Sequence, residues 1–164
     1  MKAIKINDIK NFMNSILIND TFDFLLANEV SVTTYCDFHI DCHLNSKYYE
    51  EDELNELKDT HFVSWNKIKP LCFELIKGKK VPDKFKFSLL LGSGNYEKVV
   101  ELSGTSLSSD SIDALFMHIT YDNGSLTVIS ATSLSVFTMD KSIEHYWDDY
   151  VTKFLTKHFD IEEI

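Results

Sequence analysis

The chain has 164 residues, 44% of them hydrophobic and 13% aromatic, which is enough for one packed domain and too apolar for a disordered chain. The net charge is −10 and all sixteen basic residues are lysine, which excludes arginine clamps on phosphate or carboxylate and disfavours nucleic acid or a membrane surface as partner. No apolar run reaches membrane-helix length, no signal-peptide pattern opens the chain, and Cys36, Cys42 and Cys72 lack metal-finger spacing, so a cytoplasmic domain with free, mostly buried thiols and no membrane contact is expected.

Residues 2–6 read as a short strand. Asn7 is the expected N-cap of a helix that places Ile9, Phe12, Met13, Ile16 and Leu17 on one face and ends at Asn19-Asp20. Residues 21–26 and 29–44 read as strands joined near Asn28. Residues 35–44 alternate strictly: Cys36, Phe38, Ile40, Cys42 and Leu44 point to one side, Asp37, His39, Asp41 and His43 to the other. Residues 49–59 read as an acidic surface helix, with Glu50-Glu51-Asp52-Glu53 as its start and solvated face. Residues 61–64 suggest a strand. Ile68, Leu71, Cys72, Leu75 and Ile76 predict a helix over 68–76, with Pro70 near its first turn and Gly78 as its stop.

Residues 84–91 form an apolar strand, Gly92-Ser93-Gly94-Asn95 a turn, and 96–102 a partner strand, with a Ser/Thr-rich loop over 103–111. Asp122-Asn123-Gly124 between residues 114–121 and 125–130 predicts a type I′ hairpin. Residues 134–138 suggest one more strand. Asp140 is the expected N-cap of a final helix whose stripe is Ile143, Trp147, Tyr150, Val151, Phe154, Leu155 and Phe159. The sum is an α+β fold: a mostly antiparallel sheet with an N-terminal helix, a central helix and a long C-terminal amphipathic helix packed on it. Residues 1–164 read as a single domain. A faint likeness of 8–17 to 67–76 suggests two β-α-β units, 2–44 and 61–102.

Three features bear chemistry. His39, Asp41 and His43 combine imidazole and carboxylate on one strand face, a donor set suited to a divalent metal. Same-face neighbours lie about 6.7 Å apart at Cα, so a third ligand is needed from elsewhere, with His61 and His118 the candidates. Lys67, Lys69, Lys77, Lys79 and Lys80 form the one basic region and are candidate contacts for phosphate or nucleic acid. Gly92-Ser93-Gly94 follows a strand, but Glu97 stands where a dinucleotide loop has its third glycine. No catalytic residue or bound cofactor is predicted, and Cys72 falls on an apolar helix face.

The segments Ile6-Asn7-Asp8-Ile9-Lys10-Asn11-Phe12-Met13, Phe38-His39-Ile40-Asp41, Lys69 through Lys80 and Phe137-Thr138-Met139-Asp140-Lys141-Ser142 carry a further signal. On these residues the chain resembles, over its whole length, an uncharacterised protein family of clostridial-type low-GC Gram-positive bacteria. The resemblance implies a single cytoplasmic domain and brings no activity, cofactor or site residue. The expected function is a non-enzymatic module that binds a protein partner or itself. The alternatives are a metal-dependent enzyme or metal sensor at His39, Asp41 and His43, and a clamp-like nucleic-acid-associated module.

Overall fold

The computed structural model describes residues 1–57 and 60–164. Among them are eight strands and five α-helices: β1 (Ala3–Ile6), α1 (Ile9–Leu17), β2 (Leu25–Thr33), β3 (Asp37–Asp41), α2 (Glu51–Glu56), β4 (Val63–Ser64), α3 (Trp65–Ile76), β5 (Lys84–Leu91), α4 (Tyr96–Ser103), β6 (Ile112–Asp122), β7 (Ser125–Leu134), α5 (Ser142–His158) and β8 (Ile161–Glu163). The strands form one antiparallel sheet in the order β3-β2-β5-β6-β7-β1-β8, with β4 also paired to β2. The fold is α+β, and α5 packs on the sheet. No helix among the described residues is long and apolar enough to cross a membrane.

The register explains why the sheet has two unlike faces. Ile40, Val30, Phe87, Ile119, Val128 and Ile4 are cross-strand neighbours in one row. All but the half-buried Ile40 belong to the buried core. The next row, Asp41, Glu29, Ser88, His118, Ile129 and Ala3, points the other way. The helices cover the first face. Trp65 of α3 is fully buried against Phe87 with ring centroids 5.1 Å apart, and its indole N–H donates to the Ile16 carbonyl of α1 at 2.9 Å. Trp147 of α5 is fully buried and donates to the Phe116 carbonyl at 2.8 Å. Each indole thus buries a large apolar surface and leaves no orphaned donor. Ser130 of β7 donates to Asp148 of α5 at 2.5 Å, a second tie between helix and sheet. Phe12, Phe22, Phe154 and Phe159 close one end with centroid spacings of 4.9–6.0 Å, joining α1 to the end of α5.

Several expectations are corrected. Asp8, not Asn7, caps α1, its carboxylate accepting the Asn11 N–H at 3.1 Å. Residues 21–24 are turns that sink Phe22 into the aromatic cluster, so β2 begins only at Leu25. It then passes through Asn28 as a bulge, and the chain reverses at 34–36. Residues 29–44 are therefore a hairpin and not one strand. Residues 96–102 are helix, because burial of Tyr96 and Val99 on one face satisfies an i, i+3 pattern. Strand β7 stops at Leu134, and 135–141 form a loop. Strand β4 is confined to Val63–Ser64 and runs directly into α3, which starts at Trp65 and so leaves Pro70 inside the helix. The acidic helix spans Glu51–Glu56; the part of that expectation on Lys58 and Asp59 lies outside the described residues. The hairpin at Asn123-Gly124 has the expected positive φ angles, 51° and 76°. Strands β1 and β2 have three strands between them in the sheet, whereas β4 and β5 flank β2 on its two sides.

Candidate functional site

The alternation of β3 puts Asp37, His39 and Asp41 on the solvent side and half-buries Phe38 and Ile40. Cross-strand pairing sets Glu29 beside Asp41, and Ser31 beside His39. A depression of about 420 Å³ lies here, lined by Asn28, Glu29, Ser31, His39, Asp41 and His43 among others. Within it Asp41 and His43 satisfy each other. The Asp41 carboxylate accepts the His43 backbone N–H at 3.0 Å and the His43 Nδ1–H at 2.5 Å. The backbone bond first, and the ring second, hold the Asp41 carboxyl below its ordinary range. The His43 ring packs on Phe62 at 4.8 Å. Glu29 is a neighbour that reading along the chain missed, since only the β2–β3 register reveals it.

The distant candidates do not converge on this depression. His61 lines a separate cavity of about 450 Å³ with Gly92, Ser93, Gly94, Tyr96 and Asp113. His118 stands two strands beyond Glu29 on the open face. It shares a 3.0 Å hydrogen bond with Ser88, whose Oγ also accepts from Asn28 Nδ2 at 3.3 Å. Ser88 has no exposed surface, so its hydroxyl is closed to an incoming reactant, while Asn28 and His118 are half-buried. Burial and then Lys86 lower the pKa of His118. Among the described residues no group of three or more His, Cys, Asp or Glu side chains is arranged to hold a metal ion.

The five lysines do not act as one patch. Lys69 is buried, and its ammonium donates to the Asn19 carbonyl at 2.8 Å and to Asp23 at 2.7 Å. Lys67 lies over the Tyr49 ring, 5.3 Å from its centroid. Lys77, Lys79 and Lys80 instead line a cavity of about 640 Å³ between the end of α3 and the β2–β3 turn. Its apolar wall includes Tyr35, Phe38, Leu75 and Val81. Lys77 is paired with Glu74 at 2.8 Å.

The loop between β7 and α5 is a further unusual surface. Phe137 is 95% exposed and Met139 84%, with Val136 beside them. The loop is tied at both ends. The Ser135 N–H donates to the Ser111 carbonyl at 2.9 Å. The Asp140 carboxylate accepts from the Ser142 N–H at 2.9 Å and the Thr105 hydroxyl at 2.6 Å, and the Asp140 N–H donates to Thr138 Oγ1 at 3.0 Å. Bonds from Ser142, and then Thr105, hold the Asp140 carboxyl well below the usual range. In the sequence, this Val-Phe-Thr-Met run passes for a strand.

Compared with known proteins, the chain matches over residues 15–162 a family described as a family of unknown function (DUF5721). Neither the curated proteins nor the solved structures gave a match.

Proposed function

We propose that this chain, which belongs to the DUF5721 family, is a non-enzymatic interaction module that docks on protein through the loop between β7 and α5. The observation that carries this reading is the pair Phe137 and Met139, 95% and 84% exposed on a loop that hydrogen bonds hold in one shape. Scattered apolar side chains on a surface need no explanation, but adjoining ones at nearly full exposure do. Phenylalanine and methionine are enriched where interfaces bury their centres. An anchored loop has also lost its conformational freedom before a partner arrives, which lowers the cost of association.

The test is affinity capture from an extract of the source cells, with wild type and Phe137→Ser/Met139→Ser immobilised at equal density. The two forms are first matched by circular dichroism and thermal melting. A protein retained by wild type and lost by the variant is the expected result. Equal retention by both forms, or none by either, removes the reading.

A further inference from the structure

We infer that the partner is a second copy of this chain, whose lysine-rimmed cavity at the end of α3 receives the Phe137–Met139 loop of its neighbour. The inference rests on the interaction-module reading and names its occupant. Two complementary surfaces carry it. The loop offers a benzyl group and a thioether with nearly all their surface in water, and the cavity offers an apolar wall of Tyr35, Phe38, Leu75 and Val81. Tyr35 is itself 91% exposed and Val81 72%, so both surfaces gain from being covered. A space of roughly 150 Å³ already admits a benzene ring, and the cavity holds about 640 Å³.

Charge agrees with shape. The loop is flanked by Asp110 and Asp140, with the next residue, Lys141, paired to Glu144 at 3.2 Å. The cavity is lined by Lys77, Lys79 and Lys80 against Glu74, which pairs with Lys77, and Asp83. That leaves Lys79 and Lys80 as its lysines without an ion pair among the described residues. On a chain of net charge −10 such a basic rim is scarce, and it marks where an acidic neighbour meets least repulsion.

The two surfaces cannot meet within one molecule. The cavity is at the end of the sheet where Lys84 faces Asp122, and the loop is at the end where Ile112 faces Leu134. The eleven residues of β6 separate them by roughly 35 Å, at about 3.3 Å per residue. A knob and a hole at opposite ends of one chain join copies either head to tail, with one free loop and one free cavity left at the ends of the assembly, or as an antiparallel pair in which each loop fills the other's cavity.

The experiment is size-exclusion chromatography with light scattering over a concentration series, at about 0.15 M salt, where the Debye length is about 8 Å and net repulsion is screened. One variant disables the loop, Phe137→Ser/Met139→Ser. Another disables the cavity, Lys79→Glu/Lys80→Glu/Val81→Asp, with all three changes at exposed positions. Wild type is expected to form dimers or larger assemblies as concentration rises. Each variant alone is expected to stay monomeric, and an equimolar mixture of the two to form a 1:1 dimer and nothing larger. A monomeric wild type, variants that still associate alone, or a mixture that fails to pair would overturn the inference. A monomeric wild type whose loop variant nevertheless loses a captured protein removes the second copy as occupant and leaves the interaction-module reading standing.

Discussion

Lys69 shows how far a side chain's role depends on what folds against it. It sits in a lysine-rich stretch and reads as surface, yet it is 8% exposed, with its ammonium on Asp23 and the Asn19 carbonyl. Replacing it with alanine leaves a part-buried carboxylate and a carbonyl without their donor. Lys69→Ala is expected to cost about 3 kcal/mol in urea unfolding. Asp23→Ala should cost at least as much, and the double variant should lose less than the sum of the two. The cysteines divide in the same way. Burial raises the Cys42 thiol to about 11 and the Cys72 thiol to about 12, whereas Cys36 is exposed. Only the thiolate reacts. At pH 8 a thiol reagent should modify one cysteine in the folded protein and three in urea; fast labelling of Cys42 or Cys72 in the native state would contradict this. Burial of Cys72 was legible from its helical spacing. The exposure of Cys36 was not, because its strand was expected to run through the reversal at 34–36.

At the scale of elements, what the sequence made plain were the features set by residues close together in the chain. The α5 stripe buries Ile143, Trp147, Val151, Leu155 and Phe159, with Tyr150 and Phe154 half-buried. The β6–β7 hairpin turns at Asn123-Gly124 with positive φ at both residues. Gly124→Ala should destabilise by about 1 kcal/mol, since φ of 76° is strained for a residue with a Cβ. Gly104, at φ 71° after α4, should behave alike. In both cases nothing lies within 4 Å of an added Cβ, so the cost is conformational and not steric. An unchanged unfolding midpoint in either variant would refute this. The α4 segment was misread because its two adjacent valines favour strand, while its helical pair, Tyr96 and Val99, is too short a pattern to outweigh them. The open sheet face was half legible: the β3 alternation predicted which side chains are exposed, but Glu29, Ser88 and His118 join that face only through long-range pairing.

The whole molecule should lose stability in acid and in alkali for separate reasons. The folded-state pKa of His118 lies below 6.5, so on acidification the unfolded chain takes up a proton that the folded chain refuses. Stability therefore falls as pH drops through 6.5, and further as the unfolded form of Asp140 protonates near 3.8. Cys42 and Cys72 act in the opposite direction. Above pH 9.0 their unfolded thiols ionise while the folded ones do not, so stability falls as pH rises from there towards about 12. Tyr96 and Tyr150, both raised by burial, extend the alkaline loss beyond 10.0. Thermal melting across pH should thus peak between about 7 and 9. His118→Gln should flatten the first part of the acid limb, and an acid limb unchanged in that variant would exclude His118 as its cause. The strand order itself, with β1 between β7 and β8, could not be read along the chain, because every such pairing joins segments far apart in sequence.

The bulge at Asn28 has a consequence for length changes in β2. Before it, the inward residues are Leu25 and Ala27; after it they are Val30 and Val32, so Asn28 switches the strand from odd to even numbering. It works like a punctuation mark in a two-letter reading frame. Deleting Asn28 would close the bulge and leave Leu25, Ala27, Val30 and Val32 inward on their present partners, losing the bend and the Asn28–Ser88 hydrogen bond. Deleting Ser31, by contrast, would turn Val32 out to water or force the β3 hairpin and β5 to slip together to restore the phase. One residue missing after the bulge thus alters the meaning of every letter up to the turn, whereas one missing at the bulge, or from the 104–108 loop, alters none.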